Sequence, residues 1–318
     1  MSTSHSPKAR IHVYGPVPSR RLGYSLGVDI LPWKTCTLDC LYCQLGPTPE
    51  KTVRRKSFFE MEAVLAQIQK ALQSGQNIDY ITFSGSGEPT LNASIGQLIR
   101  EIKKMTDIPI AVLTNGTLLW KKSVRRALLA ADLVVPSLDA ATQKMFVRVN
   151  RPHKSLKLDV IVQGLKFFRE EFRGQIWLEI MLIKNINDSP AHIRELKKIV
   201  SRIKPDKVQL NTVIRPPADV AARPLSFSEL EKIKKDFGEN CGIIAEFTKK
   251  EQRPHMSGLE SAILATVRRR PVTLLDLSAS LGKHQDEVLK YLNFLMKKKQ
   301  IKHISHEGKT YYEPEDGH

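Results

Sequence analysis

Between residues 25 and 213, short apolar runs alternate with longer stretches whose apolar positions recur three and four apart. The short runs (25–31, 79–83, 108–113, 133–138, 176–183 and 207–213) read as six strands. The stretches over 58–74, 95–104, 121–131, 155–171 and 191–203 read as amphipathic helices. In the first of them Met61, Val64, Leu65, Ile68 and Leu72 form one face, and Gly75 is a plausible stop. Pro136 is out of place in the fourth strand, because it cannot donate to a ladder. Residues 15–24, rich in Pro and Gly, read as a loop carrying Arg20 and Arg21. Strands alternating with helices predict an α/β fold: a parallel sheet with helical crossovers. In such sheets ligands collect at the C-terminal strand ends.

The pattern changes after residue 215. Residues 216–255 read as a connecting segment with one helical stretch, 228–237. Residues 256–269, 273–281 and 284–299 then read as three helices, followed by a hairpin around Glu307-Gly308-Lys309. Three helices and a hairpin over 256–318 make a winged-helix pattern. The third helix would begin His284-Gln285-Asp286-Glu287, and two carboxylates there suit the helix dipole but not DNA phosphates. Docking of a substrate, a protein partner or an RNA backbone fits this unit better than reading a DNA sequence.

The unusual polar residues fall at the strand ends. After the first strand comes Thr35-Cys36-Thr37-Leu38-Asp39-Cys40-Leu41-Tyr42-Cys43, three cysteines spaced C-x₃-C-x₂-C. Thiolates held this close need a cation to offset their repulsion, which suits a soft metal or an iron–sulfur cluster. Three ligands leave one position open, whereas a zinc knuckle would need Cys241 or a histidine as its fourth. Gly85-Ser86-Gly87-Glu88-Pro89 follows the second strand and Thr114-Asn115-Gly116 the third. Ser137 and Asp139 close the fourth, Glu179 is the one charge inside the apolar fifth, and Asn211-Thr212 close the sixth. Each also has a plainer reading: a glycine-rich turn for 85–89, an ordinary turn for 114–116, a helix N-cap for Asp139. Six strand ends aiming chemistry at one face favour a site.

The cysteine spacing, with Tyr42 just before the last cysteine, resembles the cluster loop of radical S-adenosylmethionine (SAM) enzymes. The resemblance covers about residues 11–215, with 1–215 as the core, and implies a partial (β/α)₆ TIM-like barrel. It implies that Cys36, Cys40 and Cys43 hold a 4Fe–4S cluster whose fourth iron binds SAM, and that reduction splits SAM to a 5′-deoxyadenosyl radical. It further implies that Tyr42 meets the adenine, and that Gly85, Gly87 and Glu88 receive the SAM amino group. Thr114 and Asn115 would line the pocket, Ser137 and Asp139 would meet the ribose, and Arg151 is a candidate for the SAM carboxylate. Within the family, PSRRLGYSLGVDILPWKTCTLDCLYCQLGPT is most similar to the group around the tRNA wybutosine-pathway (wyosine) synthase. That synthase has a second cluster on three further cysteines, whereas this chain has none before Cys36 and only Cys241 after the loop. An unassigned reaction is therefore expected.

Composition narrows the class. At 318 residues the chain is long enough for one large domain and a small one, and 41% hydrophobic with 26% charged residues is globular. No apolar run could span a membrane, the first residues lack the apolar core of a secretion signal, and the cysteine usage suits a reducing compartment; a cytoplasmic protein is expected. Of the net charge of +17, residues 256–318 carry only +2, so the cysteine-bearing part holds the basic excess. Such a field attracts polyanions, RNA first among them. The expected partners are SAM, a reductant such as flavodoxin or ferredoxin, and RNA. Three readings follow: radical modification of RNA, radical modification or activation of a protein or small molecule, and an iron–sulfur winged-helix transcription regulator. Arg20, Arg21, Asn211 and Arg215 are candidates to face substrate, His153 reads as a surface residue, and Cys241 as a buried apolar thiol.

Overall fold

The computed structural model describes residues 12–214, 217–245, 258–283, 288, 291–292, 295–296, 298–307 and 309–315. Its centre is an eight-stranded sheet whose spatial order follows the chain. The strands are β1 (Val13–Ser19), β2 (Gly23–Val28), β3 (Tyr80–Phe83), β4 (Ile110–Thr114), β5 (Leu133–Pro136), β6 (Gln175–Leu182), β7 (Lys207–Thr212) and β8 (Cys241–Ile243). β2 to β8 are all parallel, and β1 joins β2 antiparallel. The helices are α1 (Met61–Leu72), α2 (Ile95–Met105), α3 (Lys122–Leu128), α4 (Gln143–Asn150), α5 (Leu158–Glu171), α6 (Pro190–Ile203) and α7 (Phe227–Phe237). Their apolar stripes pack on the sheet through residues such as Ile68, Ile99, Leu165 and Leu196, each almost fully buried. Caps set the register of the later crossovers. Ser189 accepts from the His192 amide with Pro190 at the first turn of α6, and Ser226 with Glu229 forms a capping box on α7.

The six strands and five crossover helices expected between 25 and 213 are present, and the structure adds to them. Residues 15–24 are not a loop: they form most of a hairpin of β1 and β2, turning at Arg20-Arg21-Leu22. The prolines hid this strand, which is tolerated because β1 lies at the sheet edge and its register shifts between Tyr14 and Val17. The stretch 216–255 is more than a connector, since α7 and β8 extend the parallel sheet and Cys241 enters its core. α4 was not anticipated, because eight residues are too few to display a helical period. Pro136 takes the last position of β5, where the strand is ending.

The C-terminal residues form a second, smaller core. It contains α8 (Leu259–Val267), β9 (Val272–Thr273), α9 (Leu274–Leu281), β10 (Ile301–His306) and β11 (Lys309–Pro314), the strands forming an antiparallel sheet in the order β10-β11-β9. Of the expected third helix, residues 288, 291, 292, 295 and 296 are helical, with Val288, Leu292 and Leu295 buried; His284 to Glu287 and Lys297 lie outside the described residues. This unit rests on the open side of the sheet. α8 and α9 pack on β1, Tyr311 donates to the Ile214 carbonyl at 2.6 Å, and Arg269 pairs with Asp29 at 3.1 Å. Among the described residues no helix is long and apolar enough to cross a membrane.

Candidate active site

The cysteine loop leaves β2 at the C-terminal edge of the sheet. It is pinned on both sides by backbone. Asp39 and Leu41 amides donate to the carbonyls of Asn150 and Val149 at the end of α4, and the His153 amide donates to Thr37. Inside the loop the Thr48 hydroxyl and amide bond the Leu38 carbonyl and the Asp39 carboxylate. Asn150-Arg151-Pro152-His153 is thus the C-cap of α4, with Arg151 at φ 42°. The Arg151 guanidinium pairs with Asp219, and Arg151 does not line the cavity that Cys36 and Cys43 face.

The second contact is with the glycine-rich turn. Gly87 pairs with Thr35, whose carbonyl also accepts from the Glu88 amide at 3.0 Å. A Cβ on Gly87 would sit 1.9 Å from that carbonyl oxygen, and Gly85 at φ 141° would place one 2.6 Å from Asp29. Only glycine allows this approach. Glu88 is spent on the fold: its two oxygens accept from the Thr90 amide and hydroxyl, the Thr114 hydroxyl at 2.6 Å and the Asn115 amide at 2.6 Å. Burial raises its pKa, and those donors oppose the rise. Asn115 carries the clamp on to the cysteine loop, its amide reaching the Thr37 hydroxyl at 2.8 Å.

A third clamp is built around Asp139. One oxygen accepts from the Tyr42 hydroxyl and from Asn150 at 2.7 Å, the other from the Met181 amide at 2.9 Å. Burial lifts this carboxyl to about 6 despite those bonds. In the sequence Asn150 belongs to the polar cluster 150–153 without a role of its own. It also lies 3.4 Å from the Cys40 sulfur, and only the helix that presents it reveals that. Ser137 continues β5 as a bridge to Glu179 and lines, with Asp139, Asn115 and Asn150, a small space behind the loop.

Cys36, Cys43 and Tyr42 face one cavity of about 300 Å³, together with the backbone of Gly85 and Gly87. Thr114, Ser137 and Asp139 do not line it. Its far wall is charged. Arg21 pairs with Glu179 and reaches Gln209 at 3.2 Å, Glu179 accepts from Asn211 at 2.7 Å, and Arg20 donates to Asn211 at 3.1 Å. Burial would raise the Glu179 pKa, but Arg21 outweighs it and holds the carboxylate ionised. Arg215 lies outside the described residues. Lys34, which the sequence reading missed, is 4% exposed in the left-handed region at φ 52°, with its ammonium 3.1 Å from the Cys43 sulfur.

The donor set fits an iron–sulfur cluster. Burial, and then the charge of Glu88, push the Cys36 thiol up to about 12, and burial beside Asp139 also raises Cys40, so ionisation here calls for cationic partners. A cluster gives each of three thiolates its own iron. Cys241 is remote, 3% exposed at the start of β8.

Residues 30–196 match the family model of the Radical SAM superfamily. A UPF0026 protein of Methanocaldococcus jannaschii is 32% identical over 94% of this chain and 94% of its own length. A Brachyspira hyodysenteriae protein named GTPase Obg is 40% identical over 91% of this chain, which spans only 43% of that protein. The dual-specificity RNA methyltransferase RlmN of Buchnera aphidicola is 26% identical over 55% of this chain and 50% of its own. Among solved structures, a radical SAM methyltransferase from Sphaerobacter thermophilus superposes with a TM-score of 0.55 at 17% identity, covering 69% of this chain and 65% of that one.

Proposed function

Because this chain belongs to the radical SAM superfamily and, over nearly its whole length, to the UPF0026 proteins, we propose that it binds a 4Fe–4S cluster on Cys36, Cys40 and Cys43 with SAM on the open iron, and uses it to modify RNA. The observation that carries the first part is one cavity faced by Cys36, Cys43 and the Gly85–Gly87 backbone at the C-terminal strand ends. When bound, the cluster and SAM supply a 5′-deoxyadenosyl radical, and the protein supplies orientation and exclusion of water. The residues of the chain do the holding. Gly87 lets the cysteine loop and the glycine turn close on each other. Glu88 and Asp139 act from behind, tying that turn and Tyr42 to the neighbouring strand ends. Lys34 sets a positive charge beside Cys43.

RNA as the substrate class rests on the basic excess of the barrel part and on the RlmN relatives. The three-stranded sheet and helices of the C-terminal unit support a winged helix that docks that substrate. The transcription-regulator reading is weaker, since a regulator needs no SAM cavity. The test is anaerobic: reconstituted protein reduced with dithionite is expected to release 5′-deoxyadenosine from SAM and to bind bulk tRNA with strong salt dependence. No 5′-deoxyadenosine would sink the enzyme reading. Cleavage without any RNA binding would shift the substrate to a protein or small molecule.

A further inference from the structure

A second cavity of about 310 Å³ adjoins the cluster cavity, sharing Arg20, Arg21, Gln44, Gly85 and Gly87 with it, whereas Arg269 and Arg270 line the second and not the first. Its charged lining is one-sided. Arg20 and Arg21 come from the β1–β2 turn, Arg269 and Arg270 follow the end of α8, and among the described residues no Asp or Glu lines it. Hydroxyls of Ser19, Ser25, Thr82 and Thr266 also line it, with Ser25 and Thr82 bonded to each other at 2.6 Å and Thr266 donating to the Ala262 carbonyl.

Two of the four cations are accounted for by carboxylates. Arg21 pairs with Glu179, and Arg269 pairs with Asp29 while lying over the Tyr14 ring at 4.0 Å. The other two differ. Among the described residues Arg20 hydrogen-bonds neutral acceptors alone, the Asn211 side chain and the Ile244 carbonyl, both at 3.1 Å. Arg270 makes no hydrogen bond or ion pair with the described residues, and Asp276, the nearby acid, is engaged in capping α9. Burial, then the charge of Arg21, pulls the Arg20 pKa down to about 10, with Glu179 and Asp276 opposing and Arg270 adding to the fall. Packing cations together without a counter-charge is costly unless a ligand brings one.

We propose that this cavity seats an oxyanion of the second substrate, a phosphate or a carboxylate, between Arg20 of the barrel and Arg270 of the C-terminal unit. The C-terminal unit is then part of the reaction chamber: its arginine completes a site that the barrel only half builds. The seat and the cluster cavity share the Gly85 and Gly87 backbone, so an anchored substrate adjoins the cluster cavity. The inference rests on the barrel being the reaction chamber, as proposed above.

The test is calorimetric titration of the reconstituted full-length protein with inorganic phosphate and, separately, with acetate. Arg270→Gln, Arg20→Gln and the exposed Lys104→Gln are compared with the unsubstituted chain. Loss of one charge-assisted hydrogen bond predicts at least a ~10-fold weaker affinity in Arg270→Gln, with no change in Lys104→Gln. Arg270 has no hydrogen bond or ion pair with the described residues to lose, so its variant reports on the seat even if Arg20→Gln folds poorly. SAM should not displace the anion. Binding of phosphate alone assigns a phosphate, binding of acetate alone a carboxylate, and binding of both the shared oxyanion seat. No binding of either, binding unchanged in Arg270→Gln, or displacement by SAM would overturn the proposal. SAM cleavage measured on the same protein separates such a failure from failure of the radical reading.

Discussion

The carbonyl oxygen of Thr35 occupies the space a side chain on Gly87 would need: a Cβ there would come within 1.9 Å of it. Two loops at neighbouring strand ends, one holding the cysteines and one the glycine turn, are joined at this point by the Gly87–Thr35 bridge and the Glu88 amide.

Gly87→Ala should therefore separate the loops. A backbone oxygen cannot rotate away, so the expected cost is about 1–3 kcal/mol of stability with a large loss of cluster iron after reconstitution. Gly242, with nothing within 4 Å of a built Cβ, is the control, and Gly242→Ala should keep its iron. Equal iron in Gly87→Ala and the unsubstituted protein would count against this role.

Arg21 and Glu179 form a largely buried ion pair inside the barrel, with side chains 10% and 13% exposed. Arg21→Met or Glu179→Gln alone should each cost about 3–5 kcal/mol, because the remaining charge is stranded. The double variant should recover much of that loss in denaturant unfolding. Strictly additive losses would show that the two do not act as a pair.

Asp139 makes stability depend on pH in the direction opposite to a salt-bridged acid. Burial raises it to about 6 in the folded protein, against roughly 3.9 unfolded. The folded state then binds this proton more tightly, so the group's contribution is most favourable below about pH 4 and falls as pH rises through 6. The total is about 3 kcal/mol. Urea midpoints of cluster-free protein between pH 4 and 7 should show this fall, and Asp139→Asn should flatten it. A variant with the slope of the parent would refute the assignment.

Lys34→Met should lower the midpoint potential of the reconstituted cluster. A cation near a cluster sulfur favours the reduced, more negative state, and its removal withdraws that support. Lys34→Arg should restore most of the shift. A redox titration followed by electron paramagnetic resonance reads both, and a potential unmoved by Lys34→Met would leave the lysine a purely structural role.

Much of this protein was legible in its sequence. The six central strands and their crossovers follow from local periodicity, which the chain must satisfy before any long-range contact forms. The cysteine loop follows from spacing, because three thiols within eight residues constrain one another without help from the fold. The hairpin of β1 was not legible, since Gly15, Pro16 and Pro18 break its alternation and only an edge position makes them acceptable. Nor was the work of Lys34 and Arg270, or the partners of Asn150 and of Arg20, although Arg20 was legible as a candidate to face substrate. Arg20 and Asn211 are 191 residues apart and meet only when strands at the two sides of the sheet curve toward each other. Arg270 shares a cavity with Arg20 only because α8 and α9 pack on β1. Local patterning can say which residues make a strand end polar. Which of those ends share a cavity, and which charges there are left without a counter-charge, is decided by contacts far apart in the chain, and these exist only in the folded protein.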